Sequence, residues 1–163
     1  MIRQISSEDD MAAFARDCAT VVSEKLNNAS ALFTIFLRGD LGAGKTAWTR
    51  SFLRTLGVDE RVPSPTFNVV LHYQAGEFVA HHLDCYRLQS ATELYALGPE
   101  DWDQPGHILI VEWPERIEAW HTPDWWLNLQ DIEGQAEARR VELDGHSDIG
   151  CQLADDLDQG SGS

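Results

Sequence analysis

The spacing of apolar positions divides the chain into recognisable elements. Met11, Phe14, Ala15, Cys18, Val21 and Val22 recur at intervals of three and four, which predicts a helix over about residues 8–26. Ser7-Glu8-Asp9-Asp10 reads as its capping box, and Asn27-Asn28-Ala29-Ser30 ends it. Leu32–Leu37 is a short, β-rich apolar run and reads as a buried strand. Thr46–Leu56 returns to helical spacing and stops at Gly57. Phe67–Tyr73 and Phe78–Tyr86 read as two strands about a Gln74-Ala75-Gly76-Glu77 turn. Ala91–Leu97 is a short helix ended by Gly98-Pro99, His107–Val111 a second buried strand, and Pro114–Trp120 a helix with proline in its first turn. Trp125–Ile132 and Ala136–Leu143 form a second hairpin about Glu133-Gly134-Gln135. The sum is an α/β domain over residues 1–143, with a mixed parallel/antiparallel sheet. Residues 144–163 hold five Asp, no Lys or Arg and no evident period, so a disordered acidic tail is expected there.

Composition narrows the class. A chain of 163 residues makes one domain that buries roughly 70% of its unfolded surface. No apolar run approaches the length of a membrane span, so no membrane is expected. Three scattered cysteines without a CxxC pair suit reduced thiols, and a cytoplasmic location is expected. The net charge is −15, from 27 Asp and Glu against 12 Lys and Arg. Such a surface repels phosphate backbones, so no direct nucleic-acid binding, to RNA or DNA, is expected.

Only two lysines occur, and one falls in Gly39-Asp40-Leu41-Gly42-Ala43-Gly44-Lys45-Thr46, a full match to G-x-x-x-x-G-K-[ST]. Glycines let backbone N–H groups curl inward on phosphate oxygens. Lys45 would reach the β- and γ-phosphates, the Thr46 hydroxyl would ligate Mg²⁺, and the following helix would present its positive end to the anion. The candidate nucleotide residues are Asp40, Leu41, Gly42, Ala43, Gly44, Lys45, Thr46 and Ala47, with ATP and Mg²⁺ as the expected ligands. The fold class becomes a P-loop NTPase-like three-layer domain with a mixed sheet.

Two acids stand at predicted strand ends. Glu112 closes His107-Ile108-Leu109-Ile110-Val111, where a carboxylate is delivered beside the loop. Asp84 ends the preceding strand, on the same face as His82 and Tyr86. Both are candidate catalytic and metal-side residues, and the division of roles between them stays open. Arg87 is a candidate internal arginine finger or a salt-bridge partner. Trp113 packs over the site or in the core. Ser64-Pro65-Thr66-Phe67 suits a rigid turn that brings Thr66 to the nucleotide. His81-His82 with Asp84-Cys85 lacks the spacing of a closed zinc site.

These pieces bring a family into view. The phosphate loop, Ser64-Pro65-Thr66-Phe67, His82-Leu83-Asp84-Cys85-Tyr86-Arg87, Glu93-Leu94 with Leu97-Gly98, and Glu112-Trp113 resemble, in order and spacing, the TsaE (YjeE) family across roughly residues 5–143. The first motif is generic to P-loop NTPases, and the combination of the others is specific. The resemblance implies a slow Mg-dependent ATPase that binds ATP and ADP. It implies partnership with a TsaB–TsaD complex, which places threonylcarbamoyl on the tRNA adenosine beside the anticodon. It further implies a switch-type role for Thr66, acids around Mg²⁺ and water at Asp84 and Glu112, and a nucleotide neighbour at Trp113. Competing readings are a small-molecule kinase, which lacks an Arg-rich lid here, and a nucleotide-switched binding module without catalysis. A GTPase would need an N-K-x-D element that is missing.

Overall fold

The computed structural model describes residues 1–117 and 119–160. Seven strands form one sheet: β1 (Ile2–Ile5), β2 (Phe33–Arg38), β3 (Val70–Ala75), β4 (Phe78–Asp84), β5 (His107–Glu112), β6 (Trp125–Ile132) and β7 (Gln135–Gly145), in the order β1-β7-β6-β2-β5-β4-β3. The central pairs β6/β2, β2/β5 and β5/β4 are parallel, and the flanking pairs are antiparallel. Among the described residues four α-helices accompany them: α1 (Glu8–Lys25), α2 (Lys45–Thr55), α3 (Ala91–Tyr95) and, after the last strand, α4 (Asp148–Gly160).

The buried strands read as unbroken apolar runs because both faces of the parallel core are covered. Phe33–Leu37 of β2 is buried at every position. On one face Ile35, Ile110 and Leu127 meet α1, α2 and α4 through Phe14, Phe52 and Leu153. On the other, Phe36, Leu83 and Leu109 meet α3 and two short 3₁₀ turns through Leu94, Trp102 and Ile117. Three layers result. The α1 cap forms as expected, with Asp10 N–H donating to Ser7 Oγ at 3.1 Å; in return the Asp10 carboxylate accepts from Ser6 N–H.

Four expectations change. Residues 148–160 are not a disordered tail: they form α4, whose Leu153, Ala154 and Leu157 enter the main core. Gly150 permits that seat, because a Cβ there would stand 2.2 Å from the Asp124 carbonyl oxygen. Residues 161–163 of the expected tail lie outside the described residues. Ile2–Ile5, unassigned from sequence, pairs antiparallel with β7. β3 begins at Val70 instead of Phe67, because Val69 adopts φ +64° and closes a turn on Pro65 O at 2.7 Å. Pro114–Arg116 is a single 3₁₀ turn; residue 118 of the expected helix lies outside the described residues. Among the described residues no helix is long and apolar enough to cross a membrane.

Candidate functional site

Strand β2 runs under the sheet's centre and releases the chain at Gly39 into the loop that starts α2. The loop turns where it does because Gly42 and Gly44 hold φ +80° and +104°, a region that a side chain resists. Gly44 is the residue before α2, so Lys45 occupies the first helical position and Thr46 the second. Lys45 is buried at 5% exposure. Its Nζ donates to the Gly39 carbonyl and, at 3.0 Å, to that of Asp40. It also stands 4.2 Å from the centre of the Trp113 ring. Burial lowers the Lys45 pKa, opposed by the charges of Glu112, Asp84, Glu115 and Asp40.

The sheet register supplies the acids. Glu112 pairs with Leu37 of β2 on one side and Asp84 of β4 on the other. Asp84 and Glu112 therefore end adjacent strands on the same face, at 5% and 3% exposure. Thr46 Oγ1 lies 3.0 and 3.2 Å from the two Glu112 oxygens. His82, one pleat behind Asp84, brings Nε2 to 2.7 Å from Glu112 Oε1. Asp84 faces another segment: Oδ2 lies 3.3 Å from Thr66 Oγ1 and 3.5 Å from Ser64 Oγ, and Oδ1 accepts from Tyr86 N–H at 2.9 Å. Ser64 and Thr66 hydroxyls are themselves 2.7 Å apart. The two acids thus serve two partners, Glu112 the phosphate loop and Asp84 the Ser64–Thr66 turn.

Lys45, Thr46, Thr66, Asp84, Glu112 and Trp113 line one cavity of about 280 Å³, with Gly42, Gly44, Ala47 and the largely exposed Leu41 at its rim. Trp113 holds φ +57° and packs against Tyr86 with ring centres 5.0 Å apart. Asp40 contributes its carbonyl, and Ala43 is buried under the loop. Arg87, the candidate arginine finger or salt-bridge partner, does not line this cavity; it is exposed, with its guanidinium 4.8 Å over the exposed Phe67 ring. His81 and His82 project to opposite faces of β4, as neighbours on a strand must.

A second cavity, about 480 Å³, continues across Gly42, Gly44 and Ala47 to the start of α1 and to β7. Ser7, Glu8, Glu137 and Arg139 line it. Arg139 ties β7 to the loop, donating to the Gly42 carbonyl at 3.2 Å while pairing with Asp131 at 3.1 Å. Sequence reasoning missed these residues, and His82 as a Glu112 partner. No local motif marks these contacts: His82 stands in the His82–Arg87 run without its partner being evident, and α1, the loop and β7 meet only through the strand order.

A parallel sheet core that feeds a G-x-x-x-x-G-K-T loop into a helix, with paired acids on the neighbouring strands, defines a P-loop NTPase-like domain. A sequence model of the family described as "Threonylcarbamoyl adenosine biosynthesis protein TsaE" matches residues 5–141. The protein of Haemophilus influenzae named "tRNA threonylcarbamoyladenosine biosynthesis protein TsaE" is 32% identical over 153 residues, covering 94% of each chain. The proteins of that name from Synechocystis and Bacillus subtilis are 43% identical over 86 residues (51% of this chain, 55% of theirs) and 39% over 82 (50% and 51%). The crystal structure of Bacillus subtilis YdiB shares the fold, with TM-score 0.72 at 23% identity, covering 99% of this chain and 95% of the other. The chain belongs to the TsaE family of tRNA threonylcarbamoyladenosine biosynthesis proteins.

Proposed function

We propose that the chain is a Mg-dependent ATP-binding protein and slow ATPase that supports tRNA threonylcarbamoylation by acting on a TsaB–TsaD complex in the cytoplasm. One observation carries the reading: Lys45, Thr46, Asp84 and Glu112 converge on a single cavity beside Gly42 and Gly44 of the loop. The donor set fits both ligands. Buried hydroxyl and carboxylate oxygens suit a hard cation, and magnesium takes one or two carboxylates plus phosphate rather than an all-protein cage. A buried ammonium beside a glycine-rich loop suits phosphate.

In this reading the second cavity, bounded by α1 and β7, takes the nucleoside. Lys45 exchanges its carbonyl partners for phosphate oxygens. Thr46 and Glu112, already paired, hold the metal, which when bound neutralises charge on the phosphates. Asp84, paired with Thr66, orients the attacking water. Asp84 and Glu112 reach the first cavity while exposing only 5% and 3% of their surface. No arginine reaches the cavity holding the two acids among the described residues, which accords with slow intrinsic turnover.

Phosphate release from ATP tests the proposal. The expected result is slow release that requires Mg²⁺, vanishes in Lys45→Ala, and rises when TsaB–TsaD is added. Equal rates with and without Lys45 would refute it. Transfer of phosphate to a small acceptor would favour the kinase alternative, and binding without release the switch-module alternative.

A further inference from the structure

We propose that His82 is a positioning residue that fixes the plane of the Glu112 carboxylate. The proposal rests on the reading of Glu112 as the magnesium-side acid. Strand β4 turns Ala80, His82 and Asp84 to the face where β5 turns Ile108, Ile110 and Glu112. His82 pairs with Ile110, so its ring reaches forward along the sheet to meet Glu112. The imidazole is fully buried, and its Nε2 is 2.7 Å from Oε1. A carboxylate only accepts, so Nε2 carries the hydrogen of this bond.

Glutamate has three side-chain torsions, and Thr46 meets both carboxylate oxygens through one atom, Oγ1, which leaves the plane free to turn about the line joining them. The second contact, from a rigid ring rooted in a central strand, supplies the missing constraint. The other ring nitrogen supports this role. His82 Nδ1 is buried and has no hydrogen-bond partner among the described residues. With Nδ1 unpaired, the contact with Glu112 is the ring's one hydrogen bond among the described residues, and it alone offsets the burial of a polar ring. Asp84 has no ring behind it: hydroxyls and one backbone N–H from the neighbouring segments hold it. The two acids are therefore anchored differently, Glu112 to the sheet and Asp84 to connecting chain. Groups that orient a metal-side ligand from behind change metal affinity by about ten- to a hundredfold.

The test separates metal coupling from folding and from nucleotide binding. ADP affinity is measured by calorimetry in EDTA and in excess MgCl₂ for the unmodified chain and for His82→Leu, His82→Asn and His82→Gln. The ratio of the two affinities reads the metal alone. Glutamine carries an N–H at the ε position, as histidine does, whereas asparagine ends one atom short. The expected ratio falls about tenfold or more in His82→Leu and His82→Asn and recovers in His82→Gln, while affinity in EDTA is retained. An unchanged ratio in His82→Leu overturns the proposal. So do equal ratios in the Asn and Gln variants, a comparison that stands even if the Leu variant folds poorly. Failure of the underlying reading looks different: the unmodified chain would show no magnesium dependence, or Lys45→Ala would bind ADP as tightly as the parent.

Discussion

Replacing Leu153 by Ala tests whether α4 belongs to the folded domain. Leu153 is completely buried among the side chains beneath α1 and α4, and Ala154 and Leu157 are buried beside it. Leu-to-Ala changes at such sites cost about 2–5 kcal/mol, the lost transfer energy plus the cavity left behind. A cost of about 3 kcal/mol is expected here, because the helix is held from two further directions and cannot collapse onto the gap. Trp125 Nε1 donates to Gly150 O at 2.8 Å, and Ser147 Oγ accepts from Gly150 N–H at 3.0 Å. For a chain of this size that cost lowers Tm by about 6–12 °C. The assay is thermal unfolding followed by circular dichroism, with Asp155→Ala, at an exposed position of the same helix, as the control. The control is expected to move stability by less than about 0.5 kcal/mol. If Leu153→Ala and Asp155→Ala unfold together, α4 is not packed on the sheet, and the disordered tail expected from composition is correct after all.

Thr46→Val keeps shape but removes the hydroxyl that meets both Glu112 oxygens; leaving that buried carboxylate short of a donor is expected to cost about 1–3 kcal/mol in thermal unfolding, besides its effect on nucleotide binding. His81 is held between His72 and His107, and burial first, then those two rings, lowers its pKa from 6.5 to about 3. The folded state therefore binds fewer protons than the unfolded state between those values. Stability is expected to fall as pH drops below about 6.5, by at most about 1.4 kcal/mol per pH unit from this group, and His81→Asn should flatten the Tm profile over that window. Cys18 and Cys85 are buried, the latter thiol pushed up to about 12 by burial and then by the Asp84 and Glu115 charges, whereas Cys151 is exposed. A thiol reagent at neutral pH is expected to label one cysteine in the folded protein and three in denaturant, as counted by mass spectrometry.

Much of the architecture was legible in sequence because its signals are local. The six-residue run ending at Leu37, the glycines of the loop and the helical spacing after Thr46 each specify one element without reference to the others. The acid pair was legible too, since a carboxylate that follows an apolar run sits at a strand end. What escaped depends on long-range contact. Ile2–Ile5 is too short to show a period and becomes a strand only because β7 offers an edge. Ile149, Leu153 and Leu157 recur every four residues, but the aspartates between them hid the stripe. Phe67 has strand propensity, yet the backbone reversal at Val69 removes it from the ladder. The partnership of His82 with Glu112 needs the β4/β5 register, and the placement of Arg139 beside Gly42 needs the whole order of the sheet. The motif alone therefore gave the loop side of the site, while its rear support and the neighbouring cavity emerge only from topology.

The pairing of Asp84 with Glu112 across neighbouring parallel strands has a mechanical consequence. The separation of their backbones is set by the strand spacing, about 4.8 Å, and only shear of the central sheet could alter it. The carboxylates behave as marks on a ruler, and displacement in this region falls to the segments that reach toward them, 39–44 and 64–69. Amide hydrogen exchange should record the division directly: slow, globally limited exchange for the β4 and β5 amides, and faster local opening around Thr66 and Phe67, where the backbone has few ladder bonds.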